Sequence, residues 1–178
     1  MRALVVYESM FGNTESLARV IGHVLSSDMV VEIHEVGDAP DAIHEAVDLI
    51  VVGAPTHAFS LSRPRTRADA VSQGAPGGRG GRGVREWLEN LPTGPHSECV
   101  AVFDTRVRGV RHLPGSAARK AERIAHEHGY ERAIARESFY VADVAGPLLQ
   151  GERERACRWA RALAQQVIDR SHGRVPHG

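Results

Sequence analysis

Short apolar runs recur along this chain, and segments with helical patterns separate them. Four runs have the length of a strand, at residues 3–7, 29–33, 49–52 and 100–103, and a weaker alternating run at 132–141 can supply an edge strand. Parallel strands that are buried on both faces have continuous apolar sequences, and a crossover, usually a helix, must join each pair. The alternation therefore predicts an α/β fold, a three-layer doubly wound sheet of five parallel strands.

The segments between these runs predict helices of different quality. An apolar stripe after the first run indicates an amphipathic helix, and the dozen residues between the second and third runs leave room only for a short helix at about 41–46. Proline can begin a short helix at Pro64, and further helices are expected at 84–91, 117–128 and 152–168, the second with Ser116 as its N-cap. Trp87 and Trp159 lie in predicted helices and are expected in the core.

Length and composition predict a single domain over residues 1–170, followed by a tail at 171–178. The segment from residue 53 to residue 99 is far longer than a crossover requires, and its Gly/Arg-rich part at about 63–83 is interpreted as a flexible insertion. No apolar stretch approaches the roughly 20 residues of a membrane span, and no leader precedes the first strand, so a cytoplasmic protein without membrane contact is expected. The formal net charge is zero, with ten scattered histidines, and no metal site is expected.

The first turn, residues 7–15, joins the opening strand to the first helix and is interpreted as a phosphate-binding loop. The first amides of a helix have no intrahelical acceptor, and they bind anions well. Gly12 allows a close backbone approach, while Ser9, Asn13 and Thr14 can add side-chain hydrogen bonds. A triphosphate-binding P-loop would need a lysine here, and the only lysine is Lys120. The alternative is that Asn13 and Thr14 simply cap the helix.

Two further polar loops, residues 54–62 and 104–114, follow the third and fourth strands. In a doubly wound sheet the carboxyl ends of neighbouring strands form the ligand-binding edge. The first turn and these two loops are therefore predicted to lie together.

These loops resemble those of the flavodoxin-like family. The turn Ser9-Met10-Phe11-Gly12-Asn13-Thr14 is similar to the FMN-phosphate loop, and its Ser-Met-aromatic-Gly form is similar to the loop of flavodoxin-like NAD(P)H:quinone oxidoreductases. Residues 53–59 resemble the second flavin-contacting loop, and residues 103–106 occupy the place of the third. The resemblance implies a flavodoxin-like fold with strand order 2-1-3-4-5, FMN as cofactor, and electron transfer or a small flavin-dependent oxidoreductase as the function.

The same resemblance implies the cofactor-binding residues, while no catalytic side chain is assigned because FMN itself carries redox chemistry. The phosphate would be held mainly by amides of the first loop, and the isoalloxazine would lie between the second and third loops. The residues implied are Ser9, Met10, Phe11, Gly12, Asn13, Thr14, Pro55, Thr56, His57, Ala58, Phe59, Asp104, Thr105, Arg106 and Val107. A cation near the ring, Arg106 or Arg108, would raise the redox potential.

Two departures from the family pattern leave alternatives open. The third loop offers no Trp or Tyr to cover the flavin, which would suit a flavodoxin-fold binding or regulatory module that has lost flavin. The loops are basic, so an anionic partner is expected, either a redox protein or a small molecule of the NAD(P)H or quinone type. Arginines near Arg63 could meet a nucleotide phosphate or form a solvated lid. Nucleic-acid binding through the Gly/Arg run at 78–83 is disfavoured because the run is short and lacks aromatic residues.

Overall fold

The computed structural model describes residues 1–43, 46–77, 81–131 and 133–173. Within them, strands and helices alternate along the chain. The strands are β1 (Arg2–Tyr7), β2 (Val30–Glu35), β3 (Leu49–Pro55), β4 (Cys99–Val107) and β5 (Ala135–Val141). The helices are α1 (Asn13–Leu25), α2 (Pro64–Ser72), α3 (Val84–Asn90), α4 (Ala117–Glu127) and α5 (Glu152–Gly173).

The five strands form one sheet in the order β2-β1-β3-β4-β5. Every neighbouring pair is parallel; in the centre of the sheet Val5 pairs with Ile33 on one side and with Val51 on the other. The predicted sheet and its strand order are confirmed. Because the strands are parallel, the loops after β1, β3, β4 and β5 all leave from the same edge of the sheet.

Two apolar layers cover the sheet, one on each face. Side chains of α3 and α4 pack on the face that carries Leu4 and Val6, and side chains of α1 and α5 pack on the face that carries Val5. Both tryptophans belong to these layers, as predicted. Trp87 is completely buried, and Trp159 makes edge contacts with Phe103 and Phe139.

The connection from β2 to β3 differs from the predicted short helix at 41–46. A 3₁₀ turn at Val36–Asp38 follows β2 directly, residues 41–43 are not helical, and residues 44 and 45 lie outside the described part. Side chains from the segment that leads into α3 and from α3 itself fix this connection instead. The indole N–H of Trp87 donates to the carbonyl of Pro40 at 2.8 Å, and the Arg82 guanidinium donates to the carbonyl of Val36 at 3.0 Å and pairs with Asp41.

The segment at 63–83 is partly ordered by packing. Its first part forms α2, and beyond α2 the amide of Gly77 donates to the carbonyl of Met10 at 3.0 Å. Met10, Ala70 and Ala75 form a small buried cluster, so this segment packs against the first loop. Residues 78–80, which belong to the predicted flexible run, lie outside the described part.

The C-terminal helix is longer than the sequence pattern indicates. The periodic pattern predicts a helix to residue 168 and a tail from 171, whereas α5 continues to Gly173; residues 174–178 lie outside the described part. Exposed polar residues can extend a helix without adding to its apolar stripe, so the stripe alone places its end too early. Among the described helices, none combines the length and apolar character that crossing a bilayer requires.

Candidate functional site

The first loop presents a group of unoccupied backbone amides. Gly12 adopts a left-handed conformation with φ of 83°, which turns the chain into α1. The first helical bond of this turn runs from the Ser16 amide to the carbonyl of Gly12, and Ser9 Oγ accepts from the amide of Glu15. Among the described residues, no acceptor lies against the amides of residues 11–14. The loop therefore forms a backbone anion site at the positive end of α1.

The three predicted loops meet around a cavity of about 200 Å³ at the carboxyl edge of the sheet. Twelve of the predicted site residues line it: Ser9, Met10, Phe11, Asn13, Thr14, Pro55, Thr56, His57, Ala58, Thr105, Arg106 and Val107. Gly12, Phe59 and Asp104 are not among its lining residues. Gly12 acts through its backbone conformation, and Phe59 and Asp104 have the separate positions described below.

Met10 contributes its backbone more than its side chain. The side chain is 2% exposed and packs into the cluster with Ala70 and Ala75. A Cβ atom on Gly77 would lie 2.1 Å from the carbonyl oxygen of Ser9, so the chain after α2 approaches the loop at a distance only glycine permits. This contact supports the loop from outside.

The second loop contains a tight turn at its tip. His57 and Ser60 exchange two backbone hydrogen bonds of 2.8 and 3.0 Å, and Ala58 and Phe59 between them have φ of 45° and 63°. Positive φ at both central residues is the geometry of a type I′ turn, which normally uses Asn or Gly. Side chains at such positions carry strain of about 1–3 kcal/mol each, and strain of this kind clusters at functional sites.

Phe59 lies at the tip of that turn and is 44% exposed. The backbone of Phe59 lies against Gly115, which directly follows the third loop. A Cβ added to Gly115 would lie 2.6 Å from the Phe59 carbonyl oxygen. Its neighbour His57 faces the cavity. Burial lowers the pKa of His57, and the positive charge of Arg67 lowers it further, so the imidazole is neutral at neutral pH.

The third loop is joined to the other two by short hydrogen bonds. The Thr14 and Thr105 hydroxyls lie 2.9 Å apart, and the amide of Thr56 donates to the carbonyl of Thr105 at 2.9 Å. Arg106 is 8% exposed, and its Nη2 donates to the carbonyls of Val110 and Leu113. Its Nε is buried and has no partner among the described residues, which leaves one donor of a cavity-lining cation unsatisfied.

Asp104, one of the predicted site residues, is not among the residues that line the cavity. It is completely buried, and one carboxylate oxygen accepts from the amide of Ala118 at 3.0 Å in the first turn of α4. Successive residues of a strand point to opposite faces. Since Thr105 faces Thr14 and α1, Asp104 faces α4 and stabilises the start of that helix.

The loop after β5 supplies lining residues that the sequence analysis missed. Val141 and Val144 line the cavity, and the side-chain amide of Asn13 donates to the carbonyl of Ala145 at 3.1 Å. Gly146 approaches the same side chain closely: an added Cβ would lie 2.7 Å from the Asn13 side-chain amide. The sequence held one indication of these lining residues: the carboxyl end of the predicted fifth strand lies at the same sheet edge as the other loops.

A buried polar cluster lies directly behind the first loop. Glu8 is 1% exposed, and one of its oxygens accepts from the amide of Val84 at 2.9 Å. Arg67 is 3% exposed and donates to Ser62 Oγ at 3.0 Å, to Glu86 at 3.1 Å and to the carbonyl of Gly81 at 3.0 Å. The cluster therefore connects the end of β1 with the beginnings of α2 and α3.

The pKa values of the two carboxyl groups in this cluster shift in opposite directions. Burial raises the pKa of Glu8 more than its hydrogen bonds to Ser62 and Val84 lower it. Burial also acts to raise the pKa of Glu86, but hydrogen bonds from the Gly83 amide and from Arg67 outweigh it, and the net shift is downward. Ionisation is thus unfavourable at Glu8 and favourable at Glu86.

Replacing Glu8 by Gln should change how the free energy of unfolding depends on pH. The stability that the protonated Glu8 contributes is fully present below the ordinary pKa of about 4.3 and is lost as the pH rises through its raised native pKa. Relative to the parent, Glu8→Gln should therefore gain stability between acid and neutral pH. Glu86→Gln, the matched control, should lose stability over the same interval. Urea denaturation across this range tests both, and parallel curves for the two variants would contradict the assignment.

Replacing Gly12 by Ala should destabilise the protein by about 1–2 kcal/mol, because a left-handed conformation is costly for a residue with a Cβ. No atom lies within 4 Å of the added Cβ, so steric clash contributes nothing. Gly109→Ala is the control: its Cβ also meets open space and its φ is not positive. Its effect should stay below about 1 kcal/mol. Equal effects in urea denaturation would show that the conformation of Gly12 is not the cause.

Known proteins resemble this chain in structure. No protein-family model and no curated protein sequence matches it. Flavodoxin 2 from Bacillus cereus is 24% identical to this chain in sequence, and the two structures match with a TM-score of 0.65. The match covers 93% of this chain and 99% of the flavodoxin. A flavodoxin from Streptococcus pneumoniae is 18% identical over the same shares, with a TM-score of 0.65.

A WrbA-like flavodoxin protein from Agrobacterium tumefaciens is also similar. It is 16% identical with a TM-score of 0.54, and the match covers 94% of this chain and 98% of that chain. The match to each of these neighbours covers almost the whole chain, whose sheet has the strand order described above. The chain therefore has the flavodoxin-like fold.

Proposed function

We propose that this protein binds FMN at the carboxyl edge of its sheet and acts in electron transfer or as a small flavin-dependent oxidoreductase. One observation carries the proposal: the amides of residues 11–14 have no acceptor among the described residues, and they belong to a loop that lines the cavity. Unsatisfied donors at a helix start are a ready site for an anion. The phosphate of FMN is the anion that this fold and this loop sequence suggest.

The chemistry of the loop suits one phosphate group. Ser9 Oγ accepts a hydrogen bond from the chain, so its own proton is available for a phosphate oxygen. Glu15, in the first turn of α1, would repel a dianion, but both Arg19 contacts to its carboxylate, at 2.8 and 2.9 Å, offset its charge. Neither lysine nor arginine occurs within residues 9–14, so amides and hydroxyls would make the contacts.

The other residues that line the cavity would contact the isoalloxazine ring of FMN. His57 and Ala58 line one part of the cavity, and Val107, Val141 and Val144 line another. The cavity of about 200 Å³ is smaller than sites that enclose a whole ligand of this size. One edge of the flavin would therefore stay in solvent, which suits transfer of electrons to an outside partner. Bound FMN supplies the redox chemistry, and the protein sets its potential through nearby charge and hydrogen bonds.

Titration of the purified protein with FMN and with riboflavin tests the proposal. Riboflavin lacks only the phosphate, so the difference in affinity isolates the contribution of the first loop. FMN should bind with a dissociation constant at or below about 1 μM, and riboflavin about 100-fold more weakly, since several charge-assisted hydrogen bonds are lost. Quenching of flavin fluorescence measures both. Equal affinities would contradict the phosphate loop, and absence of binding would reject the function.

Arg106 is expected to tune the bound cofactor. A buried cation that lines the cavity stabilises the extra negative charge of reduced flavin and raises its potential. Arg106→Ala should lower the midpoint potential by tens of millivolts. Arg111→Ala, an exposed neighbour on the same loop, is the control and should change it little. An unchanged potential in Arg106→Ala, with FMN still bound, would remove this role.

A second candidate function is a binding or regulatory module of the same fold without flavin. The exposed, strained Phe59 is the one aromatic side chain of the second loop, and the third loop has none, which favours this alternative. The two candidates differ in the FMN titration. A protein that binds neither FMN nor riboflavin at micromolar concentration, yet unfolds cooperatively, would support the module.

A further inference from the structure

The charges of this neutral chain are strongly segregated. Residues 20–62 contain seven Asp and Glu residues and neither Lys nor Arg. This part of the chain includes β2, which is an edge strand of the sheet. In contrast, residues 63–68, at the start of α2, and residues 105–121, which contain all of the third loop except Asp104, have no acidic residue. The segment around the edge strand β2 is therefore rich in acidic residues, and we call it the acidic β2 edge, whereas the start of α2 and the third loop are basic.

Four arginines give the start of α2 and the third loop their exposed charge. Arg63 and Arg65 lie at the start of α2, after the second loop, and Arg108 and Arg111 lie in the third loop; all four are exposed. We refer to them as the basic rim. None forms an ion pair among the described residues, and none lines the cavity. In comparison, Arg67, Arg82 and Arg85 of the same region donate to carboxylates or carbonyls of the chain.

Two exposed apolar side chains accompany the basic rim. Phe59 is 44% exposed and Leu113 is 46% exposed. Both are held by the fold: Gly115 packs against the backbone of Phe59, and the Leu113 carbonyl accepts from Arg106 at 3.3 Å. The backbones of both residues are thus held in place, and an exposed aromatic side chain together with arginines is a composition enriched at protein interfaces.

We propose that the basic rim, with Phe59 and Leu113, docks an acidic protein that exchanges electrons with this protein. The inference rests on the proposed function, because docking beside the cavity is useful only if a redox cofactor lies there. Unpaired exposed arginines add little affinity singly, but together they steer an acidic partner and orient it, while the apolar pair supplies buried area.

A nucleotide phosphate fits the basic rim less well. Phosphate recognition needs donors that converge on one point, often as a bidentate guanidinium in a cavity. The four arginines belong to two separate segments and lie outside the cavity lining. They present charge across a surface, which suits another protein's surface better than a single phosphate.

Binding to two haem proteins of opposite charge tests the docking surface. The full chain, as purified, is immobilised, and cytochrome b5 as an acidic probe and cytochrome c as a basic probe are passed over it at about 20 mM and about 200 mM salt. Cytochrome b5 should bind at the lower salt and weaken at least about tenfold at the higher, and cytochrome c should not bind. This readout does not require bound flavin, so it stands even if the FMN titration fails.

Two charge-reversed variants separate a specific surface from net charge. Arg63→Glu with Arg111→Glu should weaken cytochrome b5 binding at least about tenfold. Arg158→Glu with Arg161→Glu makes the same change in net charge on the exposed face of α5. Its affinity for cytochrome b5 should stay within about twofold of the parent's. If the flavin is bound and reduced, each encounter passes one electron from the flavin to a ferric haem, which becomes ferrous, and its rate should follow the same order.

Several results would overturn the proposal. Equal losses in the two double variants would mean that net charge alone governs binding. Displacement of cytochrome b5 by micromolar NADPH would assign the basic rim to a nucleotide. Self-association at low salt that Arg63→Glu with Arg111→Glu abolishes would assign it to the acidic β2 edge of a second copy. Failure of cytochrome b5 to bind at low salt would show that the basic rim is not a docking surface for an acidic protein.

Discussion

The parallel direction of all five strands is the constraint on which the site depends. Because every strand points the same way, the loops after β1, β3, β4 and β5 leave from one edge and form one cavity. Hydrogen bonds then fix these loops to one another. Thr14 meets Thr105, Thr56 donates to the third loop, and Asn13 reaches the loop after β5. The cavity is thus a consequence of topology, and its precision comes from contacts between loops.

Two buried ionisable side chains support the first loop, although burying such groups is energetically unfavourable. A buried carboxyl group and a buried guanidinium, Glu8 and Arg67, lie in one polar cluster where most chains would place apolar side chains. The cluster joins the end of β1 to two helices that follow β3. An arrangement of this kind fixes the position of the loop amides more strictly than apolar packing does, since each hydrogen bond has a direction.

The segment rich in glycine and arginine combines two roles that composition does not separate. Arg67, Arg82 and Arg85 bind carbonyls and carboxylates of the chain and stabilise the fold, as Arg82 does for the connection between β2 and β3. Arg63 and Arg65 remain exposed. Residues of one type, within about twenty positions, therefore serve structure and surface charge, and only the position of each guanidinium distinguishes them.

The layered α/β fold follows from the sequence pattern, since continuous apolar runs that alternate with amphipathic segments are compatible with little else. The pattern also predicts which loops lie together, and Gly12 and the tryptophans have clear local signals. The directions in which side chains face depend instead on tertiary packing. Asp104 turns to α4, Met10 packs against α2, Val144 enters the cavity, and residues 41–43 stay non-helical because distant side chains hold them. Local patterns encode periodicity and turn preference, whereas these choices depend on contacts between residues far apart in the chain.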